Sequence, residues 1–268
     1  MNLLYQCFIL LLCLYRFHAD TKSAALFNSE QFVFVNEMIH YNYSSPLQTS
    51  SSSSFSSSAE IFIGMNRIKN GEKCGRMLKN LFDHAQYPSR LFIGLISEQP
   101  LTEKSCLEEY CKVSQNGCKF RNQVKSISIS SYESKGKYFS RHLLSNLRKE
   151  EDFCLQSDVD VEAILNWDTA LIETWMSIGN EYAILSSPLS PKTSSSSSVL
   201  HSCQVSFNSA GFPVNQLPRE AVHLSRPLLA PLWTAAFSFG KCHADKKVPY
   251  DPNLPHLSDE VPFTHFAR

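Results

Sequence analysis

From Glu60 onward, short apolar runs alternate with stretches in which apolar residues recur every three or four positions. The run Glu60-Ile61-Phe62-Ile63-Gly64-Met65 predicts a buried strand. Residues 71–86 predict a helix, because Met77, Leu78, Leu81, Phe82 and Ala85 fall on one face and Pro88 stops it. The next strand covers 90–96, and 124–130 alternates as a third. Residues 138–148 predict a helix with Phe139, His142, Leu143, Leu144 and Leu147 as its core face. A fourth strand over 153–156 leads to a helix at 167–178, capped from Asn166, and a fifth strand covers 182–185. The segment around Cys106, Cys111 and Cys118 reads as polar and turn-rich, and residues 203–240 as short strands and turns on an acceptor side. Strands alternating with helices predict an α/β fold with a mostly parallel sheet flanked by helices.

The fourth strand runs into Gln156-Ser157-Asp158-Val159-Asp160. Side chains two apart on an extended chain share a face, so Asp158 and Asp160 can converge on one point. At the carboxyl end of a buried strand, that point is where α/β sheets bind ligands. Two hard oxygen donors there suit Mg²⁺ or Mn²⁺ holding a diphosphate. Aspartates after a strand also serve as turn formers and helix caps, so the position of the pair carries more weight than the tripeptide.

Composition narrows the partners. The 268 residues carry 25 Lys+Arg against 25 Asp+Glu, a balance without the basic field that a nucleic-acid partner needs. An apolar run over residues 3–15 has the length of a signal-peptide core and falls short of a span of roughly 20 residues. Residues 1–20 are therefore expected to be a cleaved signal or a short membrane anchor, with a buried strand as the other reading. The serine-rich stretch 21–58 is expected to be a stem without a core, and 59–268 the folded domain, with a serine-rich insertion at 190–200. The leader and the sequon Asn42-Tyr43-Ser44 point to the secretory pathway, in the Golgi or ER lumen. Of nine cysteines, Cys7 and Cys13 lie in the leader. Around Cys106, Cys111 and Cys118 a disulfide staple is expected, with free thiols or zinc as alternatives. The odd remainder leaves at least one thiol unpaired.

Four ordered blocks carry a resemblance. They are Ile61-Phe62-Ile63 through Tyr87-Pro88 and Arg90-Leu91-Phe92-Ile93-Gly94; Lys135-Gly136 with Arg141 and Leu143-Leu144; Gln156 to Asp160 with Asn166-Trp167-Asp168; and Ala235 to Phe239 through Val248-Pro249-Tyr250-Asp251-Pro252. Over about residues 59–262 the chain resembles the GlcNAc-type glycosyltransferases that act on polypeptides. The resemblance implies a GT-A-like nucleotide-sugar transferase fold, UDP-GlcNAc as donor, Mn²⁺ or Mg²⁺, and a hydroxyl of hydroxyproline, Thr or Ser on a protein acceptor. It implies Asp158 and Asp160 as metal ligands, joined by His243, and Arg141, Asp158, Trp167 and Asp168 around the donor. Asp259 and Glu260 stand in for the family's late acidic pair as candidate catalytic groups. Plainer roles are an ion pair for Arg141, core packing for Trp167, a helix start for Asp168 and an exposed ring for His243.

The chain departs from the pattern at Lys137, where relatives have proline, and at Gly64 and Asn66. The glycine of the acidic motif is gone, and the carboxyl terminus is expected to be truncated. Two rival readings stand beside the main one: an inactive relative that works as a binding module, or a transferase using another UDP-sugar. Cytoplasmic relatives make the cytoplasm the alternative location.

Overall fold

Ile61–Ile68 forms β1, and its alternation serves two layers. Ile61, Ile63 and Met65 are fully buried, while Phe62 and Gly64 lie on the opposite face. The computed structural model describes residues 58–256 apart from 99–103, 115–116, 131, 158–160, 188–197, 202–204, 210, 212, 216–218, 223–226, 229, 231, 234–235 and 255. The expected leader and nearly all of the stem lie outside the described residues, as do Asp158, Asp160, Asp259 and Glu260.

In chain order β1 is followed by α1 (Gly71–His84), β2 (Leu91–Ser97), α2 (Cys106–Val113), β3 (Val124–Ser128), α3 (Lys137–Ser145) and β4 (Phe153–Ser157). Then come α4 (Trp167–Met176), β5 (Ile184–Ser186), β6 (Ser198–His201), β7 (Val205–Phe207), β8 (Pro213–Asn215), β9 (Arg219–Val222), β10 (Phe237–Lys241) and α5 (Cys242–Lys247). Six strands make one sheet in the order β3-β2-β1-β4-β10-β5. The β1–β2, β2–β3 and β1–β4 pairs are parallel, and β10 lies antiparallel between β4 and β5. Two small antiparallel ladders, β6–β9 and β7–β8, occupy the segment expected to hold short strands. Ser198–Leu200, counted above as serine-rich insertion, begins β6. This is an α/β fold with a mostly parallel sheet flanked by helices, as the pattern predicts.

One face of the sheet packs on α1, α2 and α4 in a single core that includes Met77, Leu78, Leu81, Phe82, Tyr110, Trp167, Ile172 and Trp175. The other face meets α3, whose Leu144 lies against Gly64 and Gly94. At Gly75 a Cβ would come within 2.6 Å of the Tyr110 amide nitrogen, so α1 and α2 approach too closely for any side chain there. The Cys74–Cys106 disulfide ties the same two helices. Two more bridges join Cys111 to Cys118 and Cys154 to Cys242, which resolves the bridge, thiol or zinc choice at Cys106, Cys111 and Cys118 in favour of disulfides. Cys203 lies outside the described residues. Among the described residues no helix is long and apolar enough to cross a membrane.

Three local expectations are corrected. The stretch read as turn-rich contains α2, whose start is a capping box: Ser105 Oγ accepts from the Glu108 N–H, and Glu108 Oε2 accepts from the Ser105 N–H. Asn166 does not cap α4 with its side chain. It adopts φ 59°, a left-handed conformation asparagine tolerates, and its N–H donates to the His84 carbonyl at 2.7 Å. The buried side of α3 is Tyr138, Ser140, Arg141 and Leu144, while Phe139, His142, Leu143 and Leu147 are half-buried. The helix turns polar groups inward because polar partners await them at the sheet.

Strand direction fixes which residues meet. Ser157 pairs with Met65 on β1 and Phe237 on β10, so the carboxyl ends of β1, β2 and β4 share an edge with the start of β10. Phe153 pairs with Ile61 and Lys241 at the opposite edge.

Candidate functional site

The carboxyl edge of β1, β2 and β4 collects a group of buried polar residues. Asn66, Ser97, Glu98, Ser140, Arg141 and Ser157 are all buried there or on the adjoining turns of α3. Asn66 falls where the β1–β2 register shifts, between the Met65–Leu95 and Ile68–Ser97 pairs. Such irregularities re-aim side chains beside binding sites. The Asn66 Nδ2 and the Tyr138 hydroxyl are buried without a hydrogen-bond partner among the described residues. A buried donor without a partner costs about 1–3 kcal/mol, a cost that a bound acceptor or water removes.

The second resemblance block builds the wall above β1 and β2. Gly136 has φ +90°, and a Cβ on it would lie 3.0 Å from His256 Cα. The His256 N–H donates to the Lys135 carbonyl at 2.6 Å, so this glycine lets the chain just after the fourth block close over the second. From α3, Ser140 Oγ donates to Glu98 Oε1 at 3.2 Å. The Arg141 guanidinium lies 5.9 Å from the centre of the Tyr250 ring.

Tyr250 is where the blocks meet. Its hydroxyl donates to Gln156 Oε1 at 2.9 Å, its ring stands nearly perpendicular to that of Tyr138 at 5.0 Å, and its carbonyl lies 3.0 Å from His142 Nδ1. Burial pushes its phenol well above the usual tyrosine range, opposed only in part by the Arg141 charge. Trp233 and Leu254 complete this small aromatic cluster, and Trp233 Nε1 donates to Ser238 Oγ at 2.8 Å.

The expected site residues fall into three groups. Arg141 stands on the wall beside Gln156 and Tyr250, with which it lines a small cleft. Asp158 and Asp160 come directly after Ser157 in the chain but lie outside the described residues, as do Asp259 and Glu260. Asp168 and His243 make their contacts elsewhere, and Trp167 lies in the core beside Ser157. Trp167 is a core residue whose Nε1 donates to the Leu81 carbonyl at 3.0 Å. Its ring also lines an apolar cavity of about 240 Å³ together with Met65, Met77, Leu155 and Phe237.

Asp168 is fully buried at the start of β2, the edge opposite Ser157. It accepts from Arg90 Nη2 at 2.8 Å, Arg90 Nε at 3.1 Å, and the Gln86 and Tyr87 amides at 2.8 and 3.1 Å. It is therefore not brought to the donor edge. Nor is His243, because β10 runs antiparallel and delivers the residues after it beside Phe153. Four residue steps along β10 put the two edges roughly 13 Å apart. There the His243 ring meets Tyr182 edge-on at 5.5 Å and lies 3.9 Å from Glu181. Among the described residues no three His, Cys, Asp or Glu side chains gather as a metal cluster. Sequence reasoning passed over Glu98, Tyr138 and Tyr250 as site residues. Glu98 comes after an apolar run as Asp158 does, and Tyr250 lies inside the fourth block, so both signals were present.

The family model described as Glycosyltransferase (GlcNAc) matches residues 108–261, more than half of the chain. The chain belongs to the glycosyltransferase (GlcNAc) family. The match takes in most of α2, and α3, β4, β10 and Tyr250, and so most of the wall described above. No curated protein matches this chain in sequence. Similar solved structures include PcManGT, a mannosyltransferase from Pyrobaculum calidifontis in complex with GDP-Man and Mn²⁺, at TM-score 0.47 and 10% identity, covering 78% of this chain and 52% of that one. TarS 1–349 of S. aureus matches at TM-score 0.46 and 13% identity, over 77% of this chain and 54% of the other. The chain spans about half the length of each.

Proposed function

We propose that this chain transfers N-acetylglucosamine from UDP-GlcNAc to a hydroxyl of a protein acceptor, with a divalent cation. The family match carries the transferase reading, and the polar carboxyl edge of β1, β2 and β4 supports its location. The edge fits a nucleotide sugar in its chemistry: the buried Asn66 amide and Tyr138 hydroxyl are donors, and phosphates and sugar oxygens accept. Asp158 and Asp160, directly after β4, would hold Mn²⁺ or Mg²⁺. Bound there, the cation would serve as a Lewis acid on the departing diphosphate. Arg141 supplies a fixed positive charge on the adjoining wall. Asp259 and Glu260 are proposed as the acidic pair that meets the acceptor or sugar. Asp168 and His243 make their contacts away from this edge, with Arg90 and with Tyr182 and Glu181, whereas Trp167 lines the cavity beside Ser157.

Three disulfides favour an oxidising compartment, and with the apolar leader they support a place in the secretory lumen. The deciding experiment is UDP-GlcNAc hydrolysis with Mn²⁺, wild type against Asp160→Ala, with UDP-glucose and UDP-galactose assayed alongside. Near-complete loss in the variant is expected, and equal turnover refutes the metal assignment.

A further inference from the structure

We infer that the apolar pocket beside Trp167 is an acceptor subsite: it takes one apolar side chain, of leucine or phenylalanine size, from the polypeptide that carries the accepting hydroxyl. This deepens the function proposed above and rests on it. The pocket holds about 240 Å³. Met65, Ser157 and Phe237 line it from the sheet, and Leu81 of α1 with Trp167 and Leu171 of α4 line it from the helices. Ser157 pairs with both Met65 and Phe237, so the pocket lies at the same carboxyl edge as the buried polar residues. Strand alternation gives that edge two sides of opposite character. Gln156 faces a cleft it shares with Arg141 and Tyr250, while the next residue, Ser157, faces the apolar pocket.

A transferase holds two substrates at one edge, and the phosphates and hydroxyls of a nucleotide sugar suit only the first side. Among the described residues that line the pocket there is no Lys or Arg, so a diphosphate finds no countercharge there. An apolar group is what the pocket can bury, and on a protein acceptor that is a side chain near the accepting residue. Size agrees. A cavity of about 150 Å³ with a similar lining takes up benzene, and drug-sized ligands need roughly 300 Å³ or more, so this one suits a single ring or branched chain. The mouth is also preformed. Residues 161–164 have no regular structure, yet the Ala163 N–H donates to Asn80 Oδ1 at 2.6 Å and its carbonyl lies 2.6 Å from His84 Nδ1. Held in this way, Ile164 lines the pocket while 73% exposed, and Leu165 beside it is 71% exposed. Apolar surface fixed at the mouth of an apolar pocket is ready to bind at little cost in lost freedom.

The test measures, by calorimetry with UDP and Mn²⁺ present, the binding of peptides in which leucine or glutamine is walked along the positions flanking a central threonine or hydroxyproline. At one position leucine is expected to bind about tenfold more tightly than glutamine, and the same peptide should show the lower KM in transfer from UDP-GlcNAc. Ala170→Phe, at an exposed position of α4 that lines the pocket, fills it from the helix side. It should cut the leucine advantage to within about twofold, with thermal melting showing that the fold is kept. Leucine and glutamine peptides that bind alike, or not at all, overturn the inference, as does a full leucine advantage in Ala170→Phe. If Ala170→Phe fails to fold, Ile164→Gln decides alone, and an undiminished advantage in it overturns the inference. A dimer in solution that Ile164→Gln dissociates gives the pocket to a second copy of the chain and overturns it too. Wild type without UDP-GlcNAc turnover sinks the proposed function and this inference together, whereas normal turnover without a leucine preference sinks this inference only.

Discussion

Arg90 and Asp168 show how one residue can carry a family likeness for structural reasons. The pair is buried on both sides, and Asp168 accepts two further backbone N–H groups, so its charge is fully served within the fold. Asp168→Asn leaves the Arg90 guanidinium buried beside a neutral amide, a change that costs about 3–5 kcal/mol. Urea unfolding should show stability falling by that much, while the folded fraction keeps its UDP affinity. Loss of affinity without loss of stability would return Asp168 to the donor site. The sequence makes the Asn166-Trp167-Asp168 motif visible but conceals its partner, because Arg90 lies 78 residues earlier and only the tertiary fold joins them.

Among the elements, α2 offers the cleanest test of local chemistry. Removing its cap with Ser105→Ala should lower stability by about 1 kcal/mol in urea melts. Glu108 is held below the usual carboxylate range, first by the Ser105 backbone amide and then by its side chain. Because its pKa is depressed in the folded state, its contribution is present at neutral pH and is lost as the pH falls below about 4. Glu108→Gln should therefore flatten the acid limb of the stability profile, and an unchanged limb would show that the box does not form.

Periodicity made β1, β2, β4, α1 and α4 legible, since each repeats at its own period for several residues. It did not reveal α2, although Ser105-Cys106-Leu107-Glu108 carries the capping pattern, because cysteines and a nearby Asn-Gly drew the reading towards a loop. Nor did it find the inward face of α3, where Ser140 and Arg141 are buried for their partners and an apolar stripe misleads. Strand direction was equally hidden. An apolar run such as Phe237-Ser238-Phe239 declares a strand but not which way it pairs, and the place of His243 depends on that alone.

At the scale of the molecule, the Cys154–Cys242 bridge closes a loop of 88 residues and joins the central strand to the last helix. Loop-entropy reasoning gives such a bridge about 4–5 kcal/mol. Replacing both cysteines with alanine should lower the melting temperature and make the protein insensitive to reductant at that site. If the double variant melts as wild type does, the cross-link contributes no net stability. The mostly parallel sheet was legible as a class, and buried polar groups do gather at its carboxyl edge. The wall that closes on that edge was less so, because Tyr250 reaches Gln156 from 94 residues away.

The antiparallel strand β10 has a consequence for how the protein is made. It sits between β4 and β5, yet it is synthesised after both and after all the ladders between them. Until the ribosome has delivered Lys241, β4 presents bare backbone groups to whatever else in the compartment has an edge to offer. Biogenesis of this chain should therefore depend on chaperones until translation is nearly complete, and a nascent chain halted before Phe237 should be caught by them rather than released as a folded sheet.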